Sequence, residues 1–499
     1  MHPKIAFTAT LVDCLIDTFN QEEIVYSHWK SNIDLAQAQA GQIDLDLLID
    51  RKSLPRAQMI LVRLGFKVAV ARWGANPPSI CHYYGLDSKT KQLIHVHLFT
   101  RVLTGESFVK SHLFPFETML LTNVAYVGPM RVTAKPAELV LFTMRTFIKY
   151  GSLADLIMLR RKAKSVQAEA QWLQAGADLA EALALVDQYC PVIDKHLFIQ
   201  CVETLTSDTS LRQRIRLAHQ VRRRLAVYAK HTPLNRLLAY GQLSWAELQR
   251  RLGPKQKNKV LQSGGAVIAI VGADATGKST LVAETKRWLG DVFAAQVIHT
   301  GKPPSSWLTA PVNLVLALVR RLSSGKRRTR QAAEEASPTQ HTFRGLSSLL
   351  YAVRSVVLAW DRRRLILSAR RRVAAGEFII CDRYPSRTLG AMDSPRLAME
   401  PLKPGTVAAL YNRLVRLEKD LYDQIPPPDI VLKLRVSLAT AKQRNRDRNG
   451  QDDEAYLEAR HRQSRAWQMP GTRYVYEIDT EQSLAETTGC VKQAIWESL

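Results

Sequence analysis

A glycine-rich loop, set between a short apolar run and a longer amphipathic run, constrains the fold of this chain more than any other feature. Residues 266–271 are apolar and have the length of a buried strand, and a helical pattern begins at Leu281. Between them, residues 272–279 read G-x-x-x-x-G-K-S. In this spacing the glycines let backbone N–H groups surround a phosphate, the lysine reaches the terminal phosphate oxygens, and the serine hydroxyl can hold Mg²⁺. The pattern therefore predicts a strand, a phosphate loop and a helix that bind ATP and Mg²⁺.

The residues predicted to bind the nucleotide all belong to this loop and to the first helical positions after it. They are Gly272, Asp274, Ala275, Thr276, Gly277, Lys278, Ser279 and Thr280, and Ser279 is also a predicted magnesium ligand.

The chain is long enough, at 499 residues, for two or three domains. A polar, basic stretch at 255–265 ends in two glycines, which is typical of a boundary. Apolar residues recur at helical spacing within 155–251, and 211–231 has the pattern of a basic amphipathic helix. We predict an α/β protein with an α+β domain at 1–150, a helical region and basic linker at 151–262, and a P-loop domain with a parallel sheet flanked by helices at 263–499.

The charge balance indicates an acidic partner. The formal net charge is +25, and the excess lies in residues 201–450. A nucleotide or other phosphorylated small molecule, an anionic glycan and a membrane surface all fit this balance, and a homodimer is left open. Nucleic acid is not favoured, because basic and aromatic residues are not interleaved. The six cysteines form no C-x-x-C pair and no apolar run is long enough for a membrane span, so the expected location is the cytoplasm.

A second apolar run, at 378–381, ends in Asp382 and Arg383. Open α/β sheets bind their ligands at the carboxyl ends of parallel strands. A carboxylate at that position can organise Mg²⁺ or accept a proton, and the arginine can clamp a phosphate. The run thus supplies the predicted metal ligand Asp382 and the predicted catalytic pair Asp382 and Arg383.

With these motifs, residues 264–499 resemble the thymidylate kinase family of P-loop nucleotide kinases. The matching segments follow in order: VGADATGKST, then AWDRRRLILSARRRVAAGEFIICDRY, then PPPDIVLKLRV and the arginine-rich AKQRNRDRN. VYEIDTEQSLAE is similar to that family's closing strand. The resemblance implies a kinase that transfers the γ-phosphoryl group of ATP.

The resemblance also implies roles for individual residues. Lys278 and Ser279 would bind the donor phosphates and Mg²⁺, and Asp382 with Arg383 would place the metal and the acceptor phosphate. The catalytic lid residues would be Arg444, Arg446 and Arg448. The residues that contact the acceptor would be Asp274, Lys302, Leu358, Arg362 and Arg383. Leu358 takes the place of the family's base-stacking aromatic residue, and Trp360 or Tyr351 could substitute for that aromatic residue.

The N-terminal part carries a different pattern, in which Asp44 and Asp46 alternate with apolar residues at 43, 45 and 47. On a strand, both carboxylates would project from one face and could hold Mg²⁺. Residues 20–150 resemble the minimal nucleotidyltransferase superfamily, with Lys-Ser-Asn at 30–32 in place of its small Gly-Ser element. His95 and His97 stand where that superfamily has a third carboxylate. These histidines are either ordinary packing residues or metal ligands together with the two aspartates. We interpret this part as a substrate-recognition or degenerate transferase domain.

Several functions remain open on the sequence. The leading hypothesis is an ATP- and Mg²⁺-dependent phosphotransferase of the thymidylate kinase type that acts on a nucleoside monophosphate or related acceptor. The alternatives are a kinase for a sugar or surface glycan, an ATP-binding regulatory or scaffolding module, and a nucleotidyltransferase that works through Asp44 and Asp46.

Overall fold

The computed structural model describes residues 9–72, 76–105, 110–149, 153–207, 209–230, 241, 259–301, 303–304, 346–399, 406–447 and 453–499. The chain divides into two compact units, Met1–Lys255 and Gln256–Leu499. The division lies at the start of the predicted boundary stretch. None of the helices in the described ranges combines the length and the apolar character needed to cross a bilayer.

The first unit contains a mixed sheet with the strand order β3-β4-β5-β2-β1-β9-β8. Its strands are β1 (Tyr26–His28), β2 (Leu45–Ile49), β3 (Lys67–Ala71), β4 (Ile80–Leu86), β5 (Leu93–Phe99), β8 (Val124–Val127) and β9 (Met130–Thr133), and a separate hairpin is formed by β6 (Val102–Thr104) and β7 (His112–Phe114). β2 and β5 run parallel, and β4 and β5 run antiparallel, so the side chains of three neighbouring strands meet on one face.

Helices cover this sheet and form two cores. They are α1 (Leu11–Gln21), α2 (Leu35–Gln39), α3 (Leu54–Arg63), α4 (Glu117–Thr122), α5 (Lys135–Lys149), α6 (Leu153–Gly176), α7 (Leu179–Tyr189), α8 (Lys195–Thr206) and α9 (Leu211–Arg224). One core joins α1, α2 and α3 to the sheet, and the other joins α4 to α9 around Trp29 and Phe99. The helices of 153–224 therefore share a core with the α+β domain that precedes them.

The basic helix α9 is shorter than the predicted 211–231 and continues as a 3₁₀ turn, Leu225–Tyr228. Leu217, Val221 and Leu225 are buried in the helical core, and the Arg222 side chain donates a hydrogen bond to the carbonyl of Ile148 at 2.7 Å. One face of this amphipathic helix is thus packed inside the unit.

The second unit is built on a parallel sheet with the order β12-β13-β11-β14-β15. In chain order its elements are β10 (Lys259–Leu261), β11 (Val267–Val271), α10 (Lys278–Gly290), β12 (Ala295–His299), α11 (Leu346–Ala374), β13 (Phe378–Asp382), α12 (Thr406–Asp423), β14 (Ile430–Arg435), α13 (Leu438–Asp447), α14 (Glu454–Arg465), β15 (Tyr474–Asp479) and α15 (Leu484–Ser498). Every residue of the central strand β11 is buried, as expected for a parallel strand with both faces covered. The carboxyl ends of all five sheet strands lie at one edge.

Candidate functional site

The phosphate loop joins the carboxyl end of β11 to the first turn of α10. Gly277 caps that helix with φ +82°, a left-handed conformation that favours glycine. Gly272 lies so close to its neighbours that a Cβ there would be 2.9 Å from Thr276 Oγ1 and 3.0 Å from Leu434 Cβ. The helix begins at Lys278, three residues before the predicted start. Its first backbone N–H groups therefore face the loop, where an anion is stabilised.

Lys278 is 7% exposed, and its side chain folds back into the loop, where its ammonium group donates a hydrogen bond to the carbonyl of Ala273. The Thr276 hydroxyl donates to the same carbonyl at 2.8 Å. Ala275 completes the turn with φ +62°, which is unusual for a residue with a side chain. The loop is thus held in shape by its own side chains, and the lysine is positioned over it.

Three cations converge on one carboxylate in this loop, that of Asp274. Arg383 Nη2 donates to Asp274 Oδ1 at 2.9 Å, and Arg460 Nε donates to Oδ2 at 3.0 Å. Lys278 Nζ lies 3.7 Å from Oδ1. Burial alone would raise the pKa of Asp274, but the three cations hold it at about 2. Arg383 also lies 3.8 Å from Asp393, but Lys278 and Arg460 add positive charge at the loop of the kind that a polyphosphate needs.

Arg383 reaches the loop because of its backbone conformation. It has φ +71°, and its N–H donates to the carbonyl of Ile270 at 3.1 Å. A non-glycine residue in this region costs on the order of 1–3 kcal/mol and persists where the surroundings fix it, often at a functional site. The strained turn directs the guanidinium away from the strand and toward Asp274.

Asp382 ends β13 and lies opposite Ile270 in the strand register, at the edge of the sheet where the phosphate loop begins. Its carboxylate is 3.1 Å from the Nδ1 atom of His299, whose side chain is 66% exposed. The Ser279 hydroxyl is exposed in the first turn of α10. A carboxylate and a hydroxyl are oxygen donors of the kind Mg²⁺ takes, so this donor set fits the predicted ion.

The predicted lid arginines have partners elsewhere. Arg444 donates to the carbonyl of Thr480 at 2.6 Å, and Arg446 lies 3.9 Å from Glu454. Arg448 lies outside the described residues. Within the described parts of this region, the arginine that reaches the phosphate loop is Arg460, on the following helix α14.

The residues predicted to meet the acceptor have different environments. Leu358 is half-buried on α11, Trp360 is 40% exposed on the same helix, and Tyr351 packs beside a small core. Lys302 lies outside the described residues. Arg362 is 1% exposed, and its Nε and Nη2 atoms donate to the carbonyl of Thr300 at 3.0 Å and to Asp393 Oδ1 at 3.0 Å. This guanidinium holds two chain segments together, and an acceptor contact would require it to leave these partners.

In the first unit, the two aspartates and two histidines singled out from the sequence do come together. Asp44 Oδ1 is 2.8 Å from His95 Nδ1, and Asp46 Oδ1 is 3.1 Å from His97 Nδ1. β2 begins at Leu45, so Ile43 precedes the strand and is 38% exposed rather than buried as the alternating pattern predicted. Asp44 is consequently the more exposed of the two carboxylates.

The Asp44 and Asp46 pair does not fit Mg²⁺ in this arrangement. Lys30 Nζ lies 3.0 Å from Asp46 Oδ1, and His97 contacts the same oxygen. Despite burial, these two neighbours hold the pKa of the Asp46 carboxyl well below its usual range. An ammonium group and an imidazole thus take up the oxygen that a hard cation would need.

Next to Asp46 lies a cavity of about 210 Å³ with a basic lining. Its cationic residues are Lys30, Lys110, Arg145 and Lys149, and its wall also includes Trp29 and Phe99. Burial, and then the neighbouring cations, lower the pKa of Lys110 to about 8. Ser31 and Lys110 both have positive φ, so strained backbone also occurs at this cavity. Closely spaced cations in a concave site favour an anionic ligand.

The sequence analysis did not single out Arg460, His82 or most of the cationic residues that line the cavity. Arg460 could have been found, because it follows Leu457 and precedes Ser464 at helical spacing, on the buried face of α14. His82 could have been found from the alternation in β4, where it shares a face with Tyr84. The cavity cations come from separate elements, and no sequence signal links them.

Comparisons with known proteins add the following. No protein-family model and no curated protein matches this chain. Among solved structures, the chain is similar to deoxyadenosine kinase from M. mycoides with the products dCMP and a flexible dCDP bound, with 18% identity over 47% of this chain and 100% of that chain and a TM-score of 0.28. A structure of the same enzyme with bound dATP has 18% identity over 46% and 98% of the chains and a TM-score of 0.27. Because the identities and TM-scores are this low, the proposed function rests on the geometry of the site.

Proposed function

We propose that the second unit is an ATP-dependent phosphotransferase of the nucleotide kinase type. The observation that carries the proposal is the convergence of Lys278, Arg383 and Arg460 on a P-loop at the carboxyl edge of a parallel sheet. Phosphoryl transfer needs little covalent chemistry from a protein, because positioning and neutralisation of the phosphate oxygens lower the barrier. A loop that holds three cations around one carboxylate supplies that neutralisation.

The donor phosphates would lie against the first turn of α10, where backbone N–H groups and the Lys278 ammonium meet. Asp274 holds Arg383 and Arg460 in place before the nucleotide arrives. Mg²⁺ bound with the nucleotide would be held by Ser279 and Asp382 and would neutralise phosphate charge. Arg383 would then contact the phosphate of the acceptor.

The acceptor in this proposal is a nucleoside monophosphate or a related phosphorylated molecule, and a sugar hydroxyl is the second choice. A phosphate acceptor is already ionised near neutral pH, so it needs a cation such as Arg383 more than a base. A hydroxyl acceptor must lose a proton, and Asp382, whose carboxylate contacts His299, would take it. The two classes of acceptor therefore place different demands on Arg383 and Asp382.

We expect Asp382→Asn to lower acceptor-dependent ATP turnover by about a hundredfold or more, since it removes the carboxylate that would hold metal or accept a proton. The measurement is ADP release with a panel of nucleosides, nucleoside monophosphates and sugars. Asp420→Asn, which changes an exposed aspartate on α12, is the matched control and should leave turnover unchanged.

The same panel separates the competing functions. If the acceptor is a phosphate, Arg383→Ala should raise the KM for it, and if the acceptor is a hydroxyl, Asp382→Asn should act mainly on kcat. Wild-type protein that binds ATP, but shows no acceptor-dependent turnover with any class of the panel, would support the regulatory module and contradict the kinase.

ATP affinity should fall as the pH rises through about 8. Burial lowers the pKa of Lys278 to about 8, although Asp274 opposes this shift. Bound phosphates favour the charged ammonium, so binding above this pH must take up a proton, and affinity falls by up to about tenfold per pH unit. Calorimetry at about pH 7 and about pH 9, in buffers of different ionisation enthalpy, would count that proton. Lys278→Arg keeps the charge and should remove the pH dependence, whereas an equal dependence in both proteins would assign it to another group.

A second proposal concerns the first unit, whose basic cavity favours binding of a phosphorylated ligand over nucleotidyl transfer. Lys30 rather than a metal ion neutralises Asp46, and four cations line the adjoining space. In the Lys278→Ala background, which silences the P-loop, we expect inorganic tripolyphosphate to bind and Lys110→Met to weaken it by about tenfold. Arg212→Met, at an exposed position of α9, is the control. Transfer of label from an α-labelled nucleoside triphosphate, lost in Asp44→Asn, would instead establish the transferase.

A further inference from the structure

Three histidines in the first unit meet on one face of the mixed sheet. His82 lies on β4, and His95 and His97 lie on the neighbouring strand β5, with His82 directly opposite His97 in the register. One ring nitrogen of each histidine lies within 4.8 Å of one ring nitrogen of the other two. Strand alternation explains the grouping, because residues two apart on β5 share a face with the paired position on β4.

The distances within this cluster are close to those of a metal centre. His82 Nδ1 and His95 Nε2 are 3.2 Å apart. Two nitrogens at about 2.0–2.1 Å from a tetrahedral zinc ion are separated by roughly 3.3–3.4 Å, so this pair already spans one edge of such a site. His97 Nε2 lies 3.7 Å from Asp44 Oδ2, so the Asp44 carboxylate contacts both His95 and His97. A tetrahedral ion held by the three imidazoles would take its fourth ligand from solvent.

The opposite nitrogens of two of these rings are held by carboxylates. Asp44 contacts Nδ1 of His95 at 2.8 Å, and Asp46 contacts Nδ1 of His97 at 3.1 Å. A carboxylate on one ring nitrogen fixes the tautomer and turns the other nitrogen toward a metal. The Tyr84 ring stacks on His95 with centroids 4.1 Å apart and fixes its plane. The cluster thus has both a donor set and the supports that orient it.

We infer that His82, His95 and His97, oriented by Asp44 and Asp46, form a binding site for a divalent transition-metal ion of the zinc type. Three imidazoles with an open fourth position suit Zn²⁺ or Co²⁺, whereas Mg²⁺ prefers an all-oxygen octahedron. The His95 and His97 side chains are 14% and 18% exposed, so an ion can reach them from solvent. This site is separate from the P-loop, which lies in the second unit.

The test is titration of the tag-free full chain with Zn²⁺ and with Co²⁺, followed by calorimetry and by visible absorption. We expect one equivalent to bind with the absorption bands of four-coordinate Co²⁺ and to resist a large excess of Mg²⁺. His82→Ala and His97→Ala should each weaken this equivalent by about a hundredfold or more, and Asp44→Asn by about tenfold with a changed Co²⁺ spectrum. His196→Ala, which changes an exposed histidine on α8, is the matched control.

Folding of each variant is checked by its thermal transition, and His82→Gln provides a polar replacement should the alanine variant not fold. The inference is overturned if no equivalent is lost in the His82 and His97 variants, if Co²⁺ shows only an octahedral spectrum, or if Mg²⁺ displaces Zn²⁺ at comparable concentration. Lys278→Ala should leave this equivalent intact, so the outcome does not depend on the kinase proposal.

Discussion

Replacing Lys278 with alanine is expected to lower ATP affinity and any acceptor-dependent turnover by about a thousandfold or more, an effect equal to about 4 kcal/mol. The reason is geometric and electrostatic. Lys278 lies at the start of α10 and inside the phosphate loop, and its ammonium group is the cation that the loop itself contributes to a bound phosphate. Binding is measured by calorimetry with ATP and with a non-hydrolysable analogue, and turnover by ADP release.

Two comparisons make this result specific. Lys286→Ala removes an exposed lysine from the same helix and should change neither quantity. Lys278→Met keeps most of the buried side-chain volume, so it separates the lost charge from a collapsed loop. Unchanged ATP affinity in both Lys278 variants would exclude the P-loop as the nucleotide site.

Arg362→Met should destabilise the second unit by about 3–5 kcal/mol, the cost of removing one partner of a buried ion pair. The Arg362 guanidinium donates to the carbonyls of Thr300 and Gly301 and to Asp393, and it also contacts the Tyr422 hydroxyl. In the variant, the Asp393 carboxylate, whose side chain is 10% exposed, loses its ion pair with Arg362. The free energy of unfolding is measured by urea denaturation.

Arg364→Met is the matched control, because Arg364 is exposed two positions further along α11. It should change the unfolding free energy by less than about 0.5 kcal/mol. The family resemblance implies a different outcome, in which Arg362 contacts the acceptor and its loss raises the acceptor KM at unchanged stability. That result would show that Arg362 leaves its buried contacts during turnover.

Much of the second unit could be predicted from sequence because its signals are local. The apolar run before the phosphate loop forms β11, and the run before Asp382 forms β13. The two strands are parallel, as predicted for this sheet, and the structure shows that they are neighbours. Backbone groups within a few residues of each other define such elements, so spacing and polarity suffice to locate them.

The arginine that contacts the phosphate loop could not be identified from local sequence. The arginines at 444, 446 and 448 were predicted to be catalytic lid residues, but the described ones contact Thr480 and Glu454. Arg460 contacts Asp274 from a position 186 residues away in sequence. Several arginines in 444–465 have similar local patterns. Only the packing of α14 against the loop selects one of them, and that packing depends on the whole unit.

The sequence by itself determined the phosphate loop, the strand that ends in Asp382, and the alternation that places Asp46 between buried Leu45 and Leu47. Each of these depends on backbone geometry over a few residues. The tertiary structure alone decided that Arg362 is buried, that Lys30 neutralises Asp46, and that His82 joins His95 and His97. Those contacts join separate segments of the chain. Their free energy depends on distance, burial and charge in the folded state, none of which residue spacing records.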